Sequence, residues 1–217
     1  MADDSLRAYR ARRKSSRSPE PRGGRRSSGK RPAFVIQEHQ ASTHHFDFRL
    51  EADGVLKSWA VPKGPSTDPR DKRLAIPVED HPLDYADFEG VIPKDEYGGG
   101  SVIVWDRGTY DNITVKDGQL QPVAKALDQG HLMVELHGQK LSGGYALQRI
   151  SRGDDERWLL IKMRDEHADA RRRPTSTERN SVLSGRSVKQ VVKEALARHS
   201  DRSQPDARDQ SHRGHVR

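Results

Sequence analysis

The sequence predicts a mainly β protein: a closed or nearly closed antiparallel barrel with few short helices, flanked by disordered basic tails. Three observations carry this reading. Short runs rich in β-branched and aromatic residues recur through the middle of the 217-residue chain. Glycine- and proline-rich turn signals separate them. The charge is partitioned: residues 1–30 hold 10 Lys and Arg against 3 acids (net +7), residues 31–168 hold 17 against 23 (net −6), and residues 169–217 hold 12 against 6 (net +6). The basic character therefore lives in the ends. They bury too little apolar surface to offset the entropy of ordering and are expected to stay mobile. This divides the chain into a flexible segment (1–30), a barrel domain (31–168) and a basic tail (169–217).

Taken in order, the predicted strands are 34–36, 46–50, 56–61, 74–78, 102–105, 132–136, 145–150 and 158–163. Turns are marked by Ala52-Asp53-Gly54, Pro62-Lys63-Gly64-Pro65, Gly98-Gly99-Gly100, Gly143-Gly144 and Gly153-Asp154-Asp155. Eight short strands over some 130 residues fit a barrel, with a sandwich as the alternative. A helix is expected near 123–129. A second, amphipathic one is expected over 187–199, where Val188, Val191, Val192, Ala195 and Leu196 recur at helical spacing. No internal repeat is visible.

There is no cysteine, so disulfides and thiolate metal sites are excluded, and any metal is held by imidazole, carboxylate and water. No run approaches the length of a membrane span, and no secretory signal is visible, which predicts a soluble, cytoplasmic, nucleoid-associated protein. Flexible basic ends attract polyanions in a salt-dependent way, so nucleic acid is the expected partner.

The densest chemical signal lies between Glu38 and Glu51. On a strand, His45, Asp47 and Arg49 share one face, while Phe46, Phe48 and Leu50 share the apolar other. A His and an Asp two residues apart can reach one divalent ion, and His39 can complete a set of two imidazoles and one carboxylate. Such a set suits manganese, iron or zinc. The bland alternative is a solvated polar face. Arg49 tilts the reading towards phosphate, because its planar fork matches an oxyanion. In a second cluster Arg73 opens a strand, and His81 and Tyr85 lie in the loop after it. Beside a metal-phosphate site, His81 becomes a candidate phosphate ligand or proton donor. His44 points opposite to His45 and reads as packing or support; His131 and His137 read as structural, without carboxylate company. Gly98–Gly100 is a turn rather than a nucleotide loop.

With these clusters in hand, the chain resembles the 3′-phosphoesterase module of bacterial and archaeal DNA ligase D. The likeness rests on Phe34-Val35-Ile36-Gln37-Glu38-His39, His45-Phe46-Asp47-Phe48-Arg49-Leu50, Leu56-Lys57-Ser58-Trp59-Ala60-Val61-Pro62-Lys63-Gly64-Pro65 and Glu79-Asp80-His81-Pro82-Leu83-Asp84-Tyr85. It extends through Phe88-Glu89-Gly90, Ile92-Pro93, Tyr97-Gly98 and Val102-Ile103-Val104-Trp105-Asp106-Arg107-Gly108, and covers roughly 31–165. It implies a manganese-dependent β-barrel enzyme of DNA end joining. Such an enzyme removes a terminal ribonucleoside from a primer strand and then hydrolyses the remaining 3′-phosphate. By position it implies His39, His45 and Asp47 as manganese ligands. It also implies Arg49, His81 and Tyr85 on the phosphate, supported by Arg73, Lys63 and Gln37. Because imidazole titrates near neutrality, His81 is the candidate general acid to the leaving oxygen. A segment before the barrel is similar too: Arg13 and Glu20 match, whereas Lys14 stands where the family carries Asp, in a segment tied to the phosphomonoesterase step. The expected partners are DNA 3′ ends, together with a separate ligase or polymerase or a Ku-type end-joining protein, since no ligase or polymerase module is visible. Two other classes compete: a nonhaem iron oxygenase built on His45-x-Asp47, which leaves the guanidinium groups without a shared purpose, and a non-catalytic DNA-end binding module.

Overall fold

The computed structural model describes residues 5–13, 18–24, 29 and 31–202. Eight strands close into an antiparallel barrel: β1 (Ala33–Gln40), β2 (His44–Ala52), β3 (Val55–Val61), β4 (Lys72–His81), β6 (Gly100–Asn112), β9 (His131–Gly138), β10 (Ser142–Ser151) and β11 (Arg157–Lys162). The ring runs β1-β2-β3-β4-β11-β10-β9-β6 and back to β1. Seven of them contain the strand expected from the sequence, and β11 contains the eighth but for its last residue, Met163. The barrel, not the sandwich, is formed because the 13-residue β6 is long enough to pair with two neighbours on opposite edges. It binds β1 through 101–109, and its last residues bind β9.

Three short strands lie outside the ring: β5 (Gly90–Ile92), which pairs with the start of β6, and the two-residue β7 (Val115–Lys116) and β8 (Gln119–Leu120). Helix α2 (Val123–Gln129) sits where expected and stops at Gly130, whose φ of +86° makes it a left-handed cap. Two single-turn elements, α1 (Arg7–Ala11) and α3 (Pro174–Thr177), were not foreseen; α4 (Val188–Arg202) covers the predicted amphipathic helix.

Strand alternation sorts the side chains into two cores. Inside the barrel, Phe34, Ile36, Phe46, Phe48, Leu50, Trp59 and Trp105 pack with apolar residues of β9, β10 and β11. Outside it, Val35, Leu56, Val102 and Val104 meet a second layer. That layer is made of Leu83, Tyr85 and Phe88 from a 3-10 turn (Leu83–Asp87) and its exit, Ile92 of β5, and Leu6 and Tyr9 around α1. The described parts of the first segment contribute to this outer layer. Leu6 and Tyr9 are buried, and the Tyr9 hydroxyl donates to the Pro21 carbonyl at 2.6 Å. A few apolar residues suffice here because they land on a preformed apolar surface. Among the described residues, no helix is long and apolar enough to cross a membrane.

Candidate active site on the outer face of the barrel

Because Phe46, Phe48 and Leu50 turn inward, His45, Asp47 and Arg49 must face outward, onto the surface the second layer partly covers. β1 pairs with β2 in a register that sets His39 opposite His45 and Gln37 opposite Asp47. His39, His45 and Asp47 are thereby brought together, with one donor atom from each lying within 4.8 Å of the others. The residues fit a divalent cation on three counts. The donors are two imidazoles and a carboxylate, a set suited to such ions. The Nδ1 of His45 donates to the Thr43 carbonyl at 2.9 Å, which turns the Nε2 lone pair towards Asp47, 3.6 Å away. His39 turns Nδ1 to Asp47 at 3.5 Å, while its Nε2 is buried with no hydrogen-bond partner.

Arg49 is 2% exposed and joins this cluster to its surroundings. Its Nε donates to Gln37 Oε1 at 2.9 Å, its Nη1 lies 2.9 Å from His81 Nδ1, and its Nη2 lies 3.2 Å from Asp47 Oδ2. Burial alone would raise the Asp47 carboxyl. The Arg49 charge, with the His39 and His45 imidazoles beside it, outweighs that and holds it well below the usual carboxylate range. Burial comes first for His81 too, followed by the charges of Arg49 and Arg13, and together they hold its imidazole well below the ordinary histidine value.

The described N-terminal residues close the other side. Arg13 donates through Nε to Glu20 at 2.9 Å and through Nη1 to Glu79 at 3.1 Å, and its Nη2 lies 3.3 Å from His81 Nε2. Tyr85 is buried and donates to Glu20 at 2.9 Å; burial, then the Glu20 charge, push its phenol well above the usual value. The rings of Tyr9 and Tyr85 meet the His81 ring edge-on at 5.1 and 4.7 Å. The result is a cleft of about 300 Å³ lined by the His39–His45–Asp47 donor set, with the Arg49 guanidinium beside it, and by Arg13.

Of the residues singled out in the sequence, His39, His45, Asp47, Arg49, His81, Tyr85, Arg13 and Glu20 all line this cleft. Gln37 does not face it. It is fully buried, its Nε2 donates to the carbonyls of Tyr85 and Phe88, and it therefore positions Arg49 and the 3-10 turn rather than binding phosphate. Arg73 is not part of the cluster. It stands at the opposite end of β4 from His81, roughly 25 Å of extended strand away. Its register partner is the interior residue Leu160, and it donates to Asp71 at 2.7 Å. Lys63 is exposed in the turn after β3 and does not line the cleft. Lys14 lies outside the described residues. His44 supports from the other side, 2.9 Å from Glu38 Oε1. His137 does have an acidic partner, Asp111 at 2.8 Å, while His131 contacts Gln148. Glu79 was missed as a site residue: it accepts from both Arg12 and Arg13, and only its place two residues before His81 hinted at that.

A closed barrel carrying two imidazoles and a carboxylate beside paired guanidinium groups has the features of a phosphate-ester site. The comparisons agree. Residues 37–149 match the family of the DNA Ligase D 3′-phosphoesterase domain, and the chain belongs to that family. It is 46% identical over 208 residues to the multifunctional non-homologous end joining protein LigD of Pseudomonas aeruginosa, covering 94% of this chain and 23% of that protein. It is 47% identical over 164 residues to the multifunctional non-homologous end joining DNA repair protein LigD of Mycobacterium tuberculosis, covering 75% of this chain and 20% of that one. The LigD protein of Mycolicibacterium smegmatis is 41% identical over 169 residues. The chain thus spans between a fifth and a quarter of the length of these relatives.

Proposed function

We propose that this protein is a manganese-dependent phosphoesterase that heals the 3′ ends of DNA strands in end joining. Its first action would be to release a terminal ribonucleoside, and its second to hydrolyse the 3′-phosphate left behind. One observation carries the reading: the His39–His45–Asp47 donor set lies directly beside Arg49, so a cation and a guanidinium converge on one small volume. That pairing suits a phosphoryl group, whose hydrolysis needs charge stabilisation above all.

His39, His45 and Asp47 would hold the metal. When bound, it supplies a Lewis acid that polarises a phosphoryl oxygen and lowers the pKa of water. Arg49 presents to the phosphate the N–H groups left on its terminal nitrogens beyond its bonds to His81 and Asp47. Arg13 approaches from the opposite side, fixed by Glu20 and Glu79. A water oxygen attacks phosphorus, the bond to the terminal nucleoside's 5′ oxygen breaks, and that oxygen takes up a proton. His81 is neutral in the free cleft, so it enters the cycle as a proton acceptor. The phosphodiester anion, and the further negative charge that builds on it as water attacks, offset the two flanking guanidinium charges and let the imidazole take the proton of the attacking water and hold one for the leaving oxygen. Tyr85 and Glu20 orient Arg13 and the His81 ring rather than exchanging protons.

The test is to incubate the protein and manganese with a primer-template ending in one ribonucleotide. Loss of the terminal nucleoside, giving first a 3′-phosphate and then a 3′-hydroxyl, is the expected sequence. Accumulated 3′-phosphate would trace the second step's weakness to Lys14, tested by Lys14→Asp. A strand unchanged by every divalent transition metal offered would overturn the reading.

A further inference from the structure

The cleft has one wall that neither the metal donor set nor the phosphate grip uses. Tyr97 lines the same cleft as His39 and Arg49, and it is 46% exposed, where the other aromatic residues of the site are buried. Its position is set with care for an exposed side chain. Arg12 Nη1 donates to its hydroxyl at 2.7 Å, the hydroxyl contacts Glu79 Oε2 at 3.4 Å, and the Arg12 guanidinium lies over its ring at 4.8 Å from the centroid. The loop beneath it is tightly built, with Glu96 and Gly99 donating backbone hydrogen bonds to Pro93 and Glu96. That loop rests on β1: at Gly100, with φ of +152°, a Cβ would stand 2.4 Å from the Gln40 carbonyl oxygen. An aromatic ring held rigid, half in water, at the rim of a phosphate site fits one class of ligand group, a flat aromatic ring attached to that phosphate.

We infer that Tyr97 is the platform on which the nucleobase at the 3′ end of the bound strand stacks, placing the terminal phosphodiester between Arg49 and the His39–His45–Asp47 set. The inference rests on the proposed reading of the cleft as a 3′-end site and adds what selects the end. Stacking is tolerant of base identity, because every base has a π face. The cleft would therefore accept any terminal base, yet discriminate against an end that lacks one. Tyr97 is a positioning residue: it touches the base, not the reacting atoms.

The experiment pairs a binding readout with turnover. A primer-template ending in 5-iodouridine is irradiated on the full chain without added metal, and the crosslink is located by mass spectrometry. Separately, kcat/KM with manganese is compared for base-bearing and abasic 3′ ends. The crosslink is expected at Tyr97, lost in Tyr97→Ala and, with its ring kept, retained in Tyr97→Phe. The preference for base-bearing over abasic ends should fall about tenfold in Tyr97→Ala, through KM rather than kcat. Turnover with a crosslink elsewhere, or with an unmoved preference, overturns the stacking and leaves the proposed reaction standing. A Tyr97 crosslink without turnover does the reverse, and neither signal overturns both.

Discussion

The Arg49 guanidinium lies 2.9 Å from His81 Nδ1, which also stands 2.8 Å from the Glu79 carbonyl, while the Arg13 guanidinium faces Nε2 of the same ring at 3.3 Å. A neutral imidazole has one acceptor nitrogen, so it can satisfy only one of these cations at a time, and a protonated imidazole can satisfy neither. The His81 ring is thus flanked by two cations, a pressure that a bound anion relieves. His81 is the group that registers the change.

That relationship fixes the sign of a pH effect. The folded-state pKa of His81 lies well below its unfolded value of about 6.5, so the unfolded chain binds the extra proton. The stability this neutral imidazole contributes is fully present above about pH 6.5 and is lost as pH falls below it. The urea midpoint of the metal-free protein should fall between pH 7.5 and 5, and the His81 ring resonance should titrate well below 6.5. Arg49→Met removes the larger of the two opposing charges and should move that titration upward. An unmoved titration would show that burial and Arg13 set it without Arg49.

Asp47 answers to two demands, the cation and Arg49. Asp47→Asn should abolish manganese binding in calorimetry and the manganese-induced rise in Tm. It should also destabilise the metal-free protein, by about 3 kcal/mol, because Arg49 stays buried without its counter-charge. A variant with wild-type stability in the absence of metal would mean that Arg49 draws its compensation from elsewhere.

The sequence displayed the barrel better than it displayed the wall built against it. Strand alternation made the inward Phe46-x-Phe48-x-Leu50 and the outward His45-x-Asp47-x-Arg49 legible together, since one face dictates the other. Register was not legible: nothing in the order of residues says that His39 lies opposite His45, although that pairing assembles the donor set. Arg73 was tied to the phosphate by family likeness, whereas β4 holds it and His81 apart at its two ends. The N-terminal clasp was hidden by composition. Leu6 and Tyr9 are too few to signal order among so many charges, and they become ordered only because Val35, Val104 and Tyr85 are already assembled to receive them. Arg13 and Glu20 came into view through family likeness, whereas Tyr9 and Glu79, the residues that hold that clasp in place, did not.

Gln37 offers a separable test of support against contact. It is buried opposite Asp47, and its amide serves Arg49 Nε and the carbonyls of Tyr85 and Phe88. Gln37→Leu keeps the volume and strands those groups, at a cost of about 1–3 kcal/mol for each buried group left unpaired, though not additively. The expected result is a protein destabilised by about 3 kcal/mol whose kcat falls more than its KM rises. Gln37→Glu keeps the bond to Arg49 while losing the donor to the two carbonyls, and should recover part of kcat but little of the stability. Equal recovery of both would assign Gln37 a purely structural place.

Barrel closure turns on a backbone approach at one residue. Gly108 of β6 pairs with Phe34 of β1 on one side and with Gly138 of β9 on the other, so it sits where the ring closes. A Cβ there would lie 2.0 Å from the His137 carbonyl oxygen and 3.0 Å from the Gly138 Cα, and both are backbone atoms that cannot rotate aside. Gly108→Ala must therefore part β6 from β9, at a cost of about 3 kcal/mol or more. For a chain of this size that corresponds to a Tm lower by roughly 10 °C. Since neither β6 nor β9 lines the cleft and the β1–β2 pairing that assembles the donor set is untouched, manganese affinity of the folded fraction should stay close to wild type. Native-state hydrogen exchange should quicken first at the β6–β9 pairs around Tyr110 and Leu136 and only later at the β1–β2 pairs. Simultaneous quickening at both seams would mean that the barrel opens as one unit and that the site has no stability of its own.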